Sequence, residues 1–187
     1  MMRVISGLFR SRQLKGKPPP GIRPTSDKLR ETLFNIFGPA VEGSVFLDGF
    51  AGMGGVGIEA ISRGARSVHF VDQSGKACDV IRENLESLGV KEGIRVIEAP
   101  LSKALDLFER ERVVFDIVFL DPPYEWASLY TESLTAFGSR PLLTEAGMLV
   151  MEHSKRMDPA ERVGTLKRYR VLRQGDSTLS FYRAERP

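Results

Sequence analysis

The chain has 187 residues, 42% of them hydrophobic, a composition typical of one globular domain with a full core. One cysteine and two histidines exclude an internal disulfide and a structural zinc cluster, and the lack of a long apolar run or signal peptide predicts a soluble cytoplasmic protein. The net charge of +3 is unevenly divided, with +7 in residues 1–30, −9 in residues 31–154 and +5 in residues 155–173.

The first 42 residues are predicted to form a short basic extension, followed by the main domain over residues 43–187. Residues 18–21, Pro-Pro-Pro-Gly, predict a loop. Ser26 is suited to cap a helix that ends at Gly38. The apolar residues with helical spacing are Leu29, Leu33, Phe34, Ile36 and Phe37.

From Ser44 onward, short β-branched or aromatic segments alternate with helical patterns, which predicts a mostly parallel, doubly wound α/β sheet with helices on both faces. The strand candidates are Val45–Leu47, Val68–Val71, Ile94–Ile97, Ile117–Leu120 and Met148–Met151. Helical periodicity occupies residues 56–61, 77–88, 101–108 and 129–137. A hairpin over residues 169–183 brings the expected total to seven strands. The ligand is expected at the carboxyl ends of the first strands.

A glycine-rich loop follows the first strand. Gly52, Gly54 and Gly57 satisfy the G-x-G-x-x-G pattern, and Asp72 follows Gly52 by twenty residues. This pattern fits NAD and S-adenosylmethionine alike. Asp48 decides between them, because a carboxylate beside the loop repels a pyrophosphate and attracts a sulfonium and an ammonium. S-adenosylmethionine is therefore the expected cofactor.

Further cofactor contacts are predicted around this loop. Asp72 is expected to accept hydrogen bonds from ribose hydroxyls, Ala51 borders the loop, and Asp121 is a further predicted cofactor contact. The adenine is expected between Gln73 and Leu101. No acid follows Ala99 to accept from the adenine amine, so the sequence does not specify how that amine is bound.

The fourth strand ends in Asp-Pro-Pro-Tyr, residues 121–124. This motif suits methylation of an exocyclic amine on a nucleobase, a weak nucleophile whose lone pair is delocalised into the ring. Asp121 can accept one N–H of the amine and the Pro122 carbonyl the other, while Pro123 stiffens the turn. Tyr124 can stack on the base. The alternative interpretation is a rigid turn after a buried strand.

With both motifs placed, the sequence resembles the RsmD family of bacterial 16S ribosomal RNA guanine-N2 methyltransferases. The segments that carry the resemblance are Arg3–Gly7, Arg23–Thr25, Arg30–Asn35, Asp48–Gly57, Glu59-Ala60, Ser62–Ala65, Asp121–Tyr124 and Glu152-His153. Pro100 departs from the family pattern, since many members have an acid or amide there.

The resemblance implies a Rossmann-like class I S-adenosylmethionine-dependent methyltransferase fold. It implies guanine 966 of 16S rRNA as the target, in a partly assembled small ribosomal subunit. The segment that contains Arg23, Thr25 and Asn35 is implied to close over the cofactor and the RNA-facing cleft. No membrane and no metal are expected to take part.

The basic segments are the expected RNA-binding surfaces, although a merely solvated surface is the alternative. The residues predicted to contact RNA are Arg10, Arg12, Lys15, Lys17 and Arg23, with a contribution from residues 155–173. Two other functions stay open. The tetrapeptide also serves an adenine-N6 methyltransferase acting on DNA or RNA, and the fold could belong to a non-catalytic RNA-binding assembly factor.

Overall fold

The computed structural model describes residues 2–16 and 25–185, and its centre is one twisted sheet. The strands are β1 Val45–Gly49, β2 Ser67–Asp72, β3 Ile94–Glu98, β4 Phe115–Leu120, β5 Leu143–Ser154, β6 Arg162–Val163, β7 Leu166–Gln174 and β8 Ser177–Ala184. They lie in the order β3-β2-β1-β4-β5-β8-β7-β6. Neighbours from β3 to β5 are parallel, whereas β8, β7 and β6 are added antiparallel.

Five α-helices and one short 3-10 helix, Gly38–Val41, surround the sheet in the described ranges. The α-helices are α1 Asp27–Phe37, α2 Gly55–Ser62, α3 Gly75–Ser87, α4 Leu101–Arg110 and α5 Ala127–Ser139. The Ser26 hydroxyl accepts from the Leu29 N–H at 3.2 Å, which confirms the predicted cap.

Helices cover both faces of the sheet, as predicted. On one face α1, α2 and α3 pack on alternate strand residues such as Phe46 and Val150. On the other face α4 and α5 pack on the intervening residues, among them Leu47 and Leu149. The strand order reverses between β1 and β4, so the carboxyl ends of these two strands flank the expected ligand position.

The prediction of seven strands is wrong, because the sheet has an eighth, β6. This strand has only two residues, too few for a recognisable alternation. A distant contact holds it in place: the Thr165 N–H donates to the Gly138 carbonyl at 2.9 Å. Gly164 makes the turn into β7 with a positive φ of 56°, which favours glycine.

Residues 2–16 fold back on themselves and are called here the N-terminal hairpin. Buried polar side chains of two helices bind its backbone. Glu59 of α2 accepts from the N–H groups of residues 5–6 at 2.7 and 3.0 Å. Asn84 of α3 pairs with both the N–H and the carbonyl of Lys15. Because both anchors are fully buried, the hairpin is firmly bound to α2 and α3.

Candidate active site

Four carboxylate side chains meet at one edge of the sheet. Asp48, Asp72 and Asp121 lie at or directly after the ends of β1, β2 and β4, and Glu152 lies near the end of β5. Leu120 is in register with Met151, so Asp121 and Glu152 follow as neighbours on adjacent strands. Parallel strands place these ends at the same edge of the sheet.

The glycine loop is braced by two of these carboxylates. Asp72 accepts from the Gly52 N–H and Asp48 accepts from the Gly57 N–H, both at 2.8 Å. Gly52 and Gly54 have positive φ angles of 55° and 76°, which explains the glycines. A Cβ added to Gly52 would meet nothing within 4 Å, so the loop faces open space at that position.

Asp48 is buried, and the groups that act on its charge are the Gly57 N–H and the acidic Asp72. Burial, with a smaller contribution from the nearby Asp72, raises the pKa of Asp48 to about 8, against the opposing hydrogen bond from Gly57. A buried carboxyl of this kind is stabilised in its ionised form by a nearby positive charge. The open loop and this carboxyl fit a cofactor with a nucleoside and a cationic amino-acid group.

Glu152 accepts the hydrogen bonds that join several elements at this edge, and no role was predicted for it from the sequence. Only 4% of it is exposed. The Thr25 hydroxyl donates to Glu152 Oε2 at 3.2 Å, and the Tyr124 hydroxyl donates to Oε1 at 3.4 Å. Tyr124 Oη also lies 3.1 Å from Ser177 Oγ. Residues far apart in the sequence therefore fasten the tetrapeptide to β5 and β8.

Burial is the main cause of unusual protonation at this edge. It raises the pKa of Asp121 well above its usual range, and repulsion from Glu152 and Asp48 adds to the effect, while the nearby Thr25 hydroxyl opposes it. Burial likewise raises the pKa of Glu152. Because burial also raises the pKa of Tyr124 to about 12, the Tyr124 hydroxyl stays protonated and able to donate.

The Pro122 carbonyl has a partner that the sequence did not reveal. It accepts from the hydroxyl of the buried Tyr130, on α5, at 2.9 Å. A carbonyl oxygen has two lone pairs, so one acceptor position is left for a substrate amine. Tyr124 is 45% exposed, with free ring surface available for a base.

His153 follows Glu152 on β5, and its contacts show whether it can belong to the same site. His153 points to the opposite face from Glu152, as alternation along β5 requires. Its ring nitrogens lie 2.8 Å from Ser180 Oγ and 3.0 Å from the Ser154 carbonyl oxygen. His153 is thus a buried residue of the strand end and does not reach the carboxylate edge.

Of the remaining residues predicted to bind the cofactor, some lie at the carboxylate edge and others do not. Ala51 and Gln73 follow β1 and β2, and Leu101 begins α4, so all three lie at the carboxylate edge. Asn35 is exposed near the end of α1. A helical rise of 1.5 Å per residue puts Asn35 roughly 13 Å along α1 from its start beside Thr25, and the far end of this helix packs on Phe46, near the start of β1. Arg23 lies outside the described residues.

The predicted RNA-binding residues of the N-terminal hairpin are exposed but lie far from the carboxylates. Arg10 is at the hairpin tip, whereas Arg12 pairs with Val4 through its backbone and donates from its guanidinium to the Ser87 carbonyl, at the end of α3. The tip binds the carbonyl of Ser62, at the end of α2, through the Leu8 N–H at 2.7 Å. Helix α2 starts at the glycine loop, so its length separates the tip from the loop by about 12 Å. Lys15 is exposed nearer the loop, and Lys17 lies outside the described residues.

The second basic segment contains both paired and unpaired charges. Arg168 is bound to Asp158 at 2.6 Å, and Lys167 to Glu185 at 2.8 Å. Arg170 and Arg173 have no ion-pair partner within 4.0 Å in the described part of the chain. The unpaired arginines are therefore the better candidates for contact with a polyanion.

Within the same described ranges, no helix is long and apolar enough to cross a membrane and no cluster could hold a metal ion.

Comparison with known proteins assigns the family. The family model described as "Conserved hypothetical protein 95" matches residues 2–183. The chain belongs to this family. It is 37% identical to YlbH of Bacillus subtilis, over 97% of this chain and 98% of YlbH. It is 39% identical to the "Ribosomal RNA small subunit methyltransferase D" of Haemophilus influenzae, over 67% of this chain and 65% of that protein. Membership confirms the resemblance to the RsmD family.

Solved structures agree with this assignment. The Escherichia coli protein yhhF has a TM-score of 0.82 and 28% identity, with 98% of each chain covered. The predicted class I methyltransferase fold is confirmed, and so is S-adenosylmethionine as the cofactor of this methyltransferase family. SMU.776, which shares the fold with 14% identity and a TM-score of 0.70, is known in complex with SAH.

Cofactor binding is expected to release a proton from Asp48. In the free protein the Asp48 pKa of about 8 leaves the carboxyl protonated near pH 6, whereas an adjacent ammonium favours the ionised form. Affinity for S-adenosylhomocysteine should therefore rise between about pH 5.5 and 7, by up to about tenfold per pH unit. Calorimetry in buffers of different ionisation enthalpy measures the released proton.

Asp48→Asn is the matched variant, because the amide can still accept from the Gly57 N–H but carries no titratable proton. Asp48→Asn should bind S-adenosylhomocysteine more weakly and lose the pH dependence that Asp48 causes. The variant keeps Asp72 and Asp121, the other carboxyls near this position, so the comparison isolates the contribution of Asp48. Staying below pH 7 keeps the α-amino group of the ligand protonated throughout, so it adds no pH dependence of its own. Equal proton release by both proteins would contradict the assignment.

Proposed function

We propose that this protein methylates the exocyclic N2 amine of a guanine in 16S rRNA, at the position called 966, in a partly assembled small subunit. The observation that carries the proposal is the position of Asp121 and the Pro122 carbonyl, two acceptors at the same edge as the glycine loop. The name of the Haemophilus influenzae relative supports ribosomal RNA as the substrate class.

Each residue of the tetrapeptide has a distinct task in this reaction. Asp121 and the Pro122 carbonyl accept the two N–H groups of the amine and favour the positive charge that develops on its nitrogen. Tyr124 holds the extruded base by stacking. Tyr130 fixes the Pro122 carbonyl through its hydroxyl. These contacts position the amine nitrogen for attack.

The amine loses one proton in the reaction, and the carboxyl pair can receive it. When bound, S-adenosylmethionine supplies an electrophilic methyl group for direct displacement by the amine. Asp121 holds one N–H of that amine, and Glu152 lies beside Asp121 on the next strand. Thr25 and Tyr124 donate hydrogen bonds to Glu152, which steady its ionised form. No covalent enzyme intermediate is required.

Nucleoside mass spectrometry of rRNA tests the proposal in a strain that lacks the gene. We expect N2-methylguanosine to be lost at one position and restored by the wild-type gene but not by Asp121→Ala. Loss of N6-methyladenosine would instead identify an adenine-N6 methyltransferase. Unchanged methylation together with defective subunit assembly would identify a non-catalytic assembly factor.

A further inference from the structure

Trp126 is the only tryptophan of the chain and lies two residues after Tyr124. Trp126 is 49% exposed, although tryptophan is highly buried on average in folded proteins. In the described ranges, no hydrogen bond and no ring contact involves its indole. The catalytic edge thus presents a large aromatic surface that the fold itself does not use.

Hydrogen bonds fix the position of the Trp126 backbone. The Trp126 N–H donates to the Pro123 carbonyl, and the Trp126 carbonyl accepts from the Leu129 N–H, each at 3.0 Å. Pro122 and Pro123 have restricted φ angles. Trp126 is therefore held at a defined place five residues from Asp121, at the start of α5.

The surroundings of Trp126 favour stacking over charge attraction. No lysine or arginine occurs between Arg112 and Arg140, and Glu125 beside Trp126 is acidic and exposed. This segment cannot hold phosphates through ion pairs. A nucleobase, by contrast, has a π-face that an indole can cover regardless of the base identity.

We propose that Trp126 stacks on the nucleotide next to the target base. This inference rests on the proposed function and adds a second contact to the substrate. Extrusion of the target base exposes a face of its neighbour, which an indole can cover. Hydrogen bonds with Ser177 and Glu152 hold Tyr124 for stacking on the target base. The Trp126 indole makes no such bond in the described residues and can stack on the adjoining base.

Intrinsic fluorescence reports this contact directly, because all tryptophan emission comes from Trp126. Titration with protein-free, unmethylated 16S rRNA should quench the emission of the wild-type protein. Trp126→Ala should weaken rRNA binding by about tenfold, and Trp126→Phe should restore most of the loss. The salt dependence of affinity should stay the same in both variants, since stacking neutralises no phosphate.

One fold control and three possible outcomes complete the test. Unchanged affinity for S-adenosylhomocysteine shows that the Trp126 variants keep their fold. Binding of rRNA without quenching, or with equal affinity in Trp126→Ala, overturns the stacking contact and leaves the proposed function standing. Quenching by isolated ribosomal proteins but not by rRNA overturns it in favour of a protein contact. If wild type binds no free rRNA even at low salt, and Trp126→Ala binds unmethylated small-subunit particles as tightly as wild type does, the stacking contact is wrong, whatever the methylation assay shows.

Discussion

Asp121→Ala is expected to lower the single-turnover methylation rate by at least about a hundredfold, while affinity for S-adenosylhomocysteine changes little. The carboxylate acts on charge that develops on the amine during transfer, so its loss raises the barrier more than it weakens ground-state binding. Rapid-quench measurement with enzyme in excess over unmethylated small-subunit particles isolates this step from product release.

Asp121→Asn provides the matched comparison. The amide oxygen still accepts one N–H, so we expect a smaller loss than for Asp121→Ala, but the variant cannot take a proton. Near-normal turnover in Asp121→Ala would contradict the proposed amine contact. A parallel loss of cofactor affinity in both variants would instead make Asp121 mainly a cofactor ligand.

Glu152→Gln tests the electrostatic relation between the two carboxyls. The Asp121 pKa is raised by burial and further by repulsion from Glu152, and only ionised Asp121 accepts through both oxygens. The acidic limb of the single-turnover pH profile therefore follows ionisation of Asp121, with the rate rising as pH rises. Replacing Glu152 removes the repulsion, so this limb should move to lower pH. An unmoved limb would show that the two groups do not interact during catalysis.

The sequence predicted the parts of the fold that depend on local patterns. Short buried strands and amphipathic helices are visible in the sequence because each repeats with its own period. Strand β6 was missed because its two residues are ordered by a distant contact to Gly138 rather than by any pattern of their own. Asp48, Asp72 and Asp121 were found because each ends a strand.

Other parts of the site depend on register and on strand face, which no local pattern specifies. Glu152 is significant only because β5 lies beside β4 with Leu120 opposite Met151. The sequence drew attention equally to His153, which alternation then directs to the other face. The Tyr130 contact to Pro122 requires the packing of α5 against the sheet. Arg10 and Arg12 were chosen for charge alone, and only the structure shows their distance from the site.

Replacing Arg10, Arg12, Lys15 and Lys17 with Ala is expected to flatten the plot of log affinity for rRNA against log salt by about 3 units. Each phosphate contact contributes about 0.7 to 0.9 to the slope, depending on the RNA structure. Glu59 and Asn84 hold the hairpin through its backbone, so the substitutions should leave the fold and cofactor affinity intact. Filter binding over a range of salt concentrations measures the slope.

A charge-matched pair of double variants sharpens this test, because each removes two positive charges. Arg10→Ala with Arg12→Ala removes exposed charges that lack an ion pair in the described chain, and should reduce the slope by about 1.5 units. Arg162→Ala with Lys167→Ala removes charges already paired with Glu185, and should change it much less. Equal effects would mean that net charge alone governs binding. If the hairpin variants leave slope and affinity unchanged, the hairpin is only a solvated surface, and the unpaired Arg170 and Arg173 become the residues that hold the RNA.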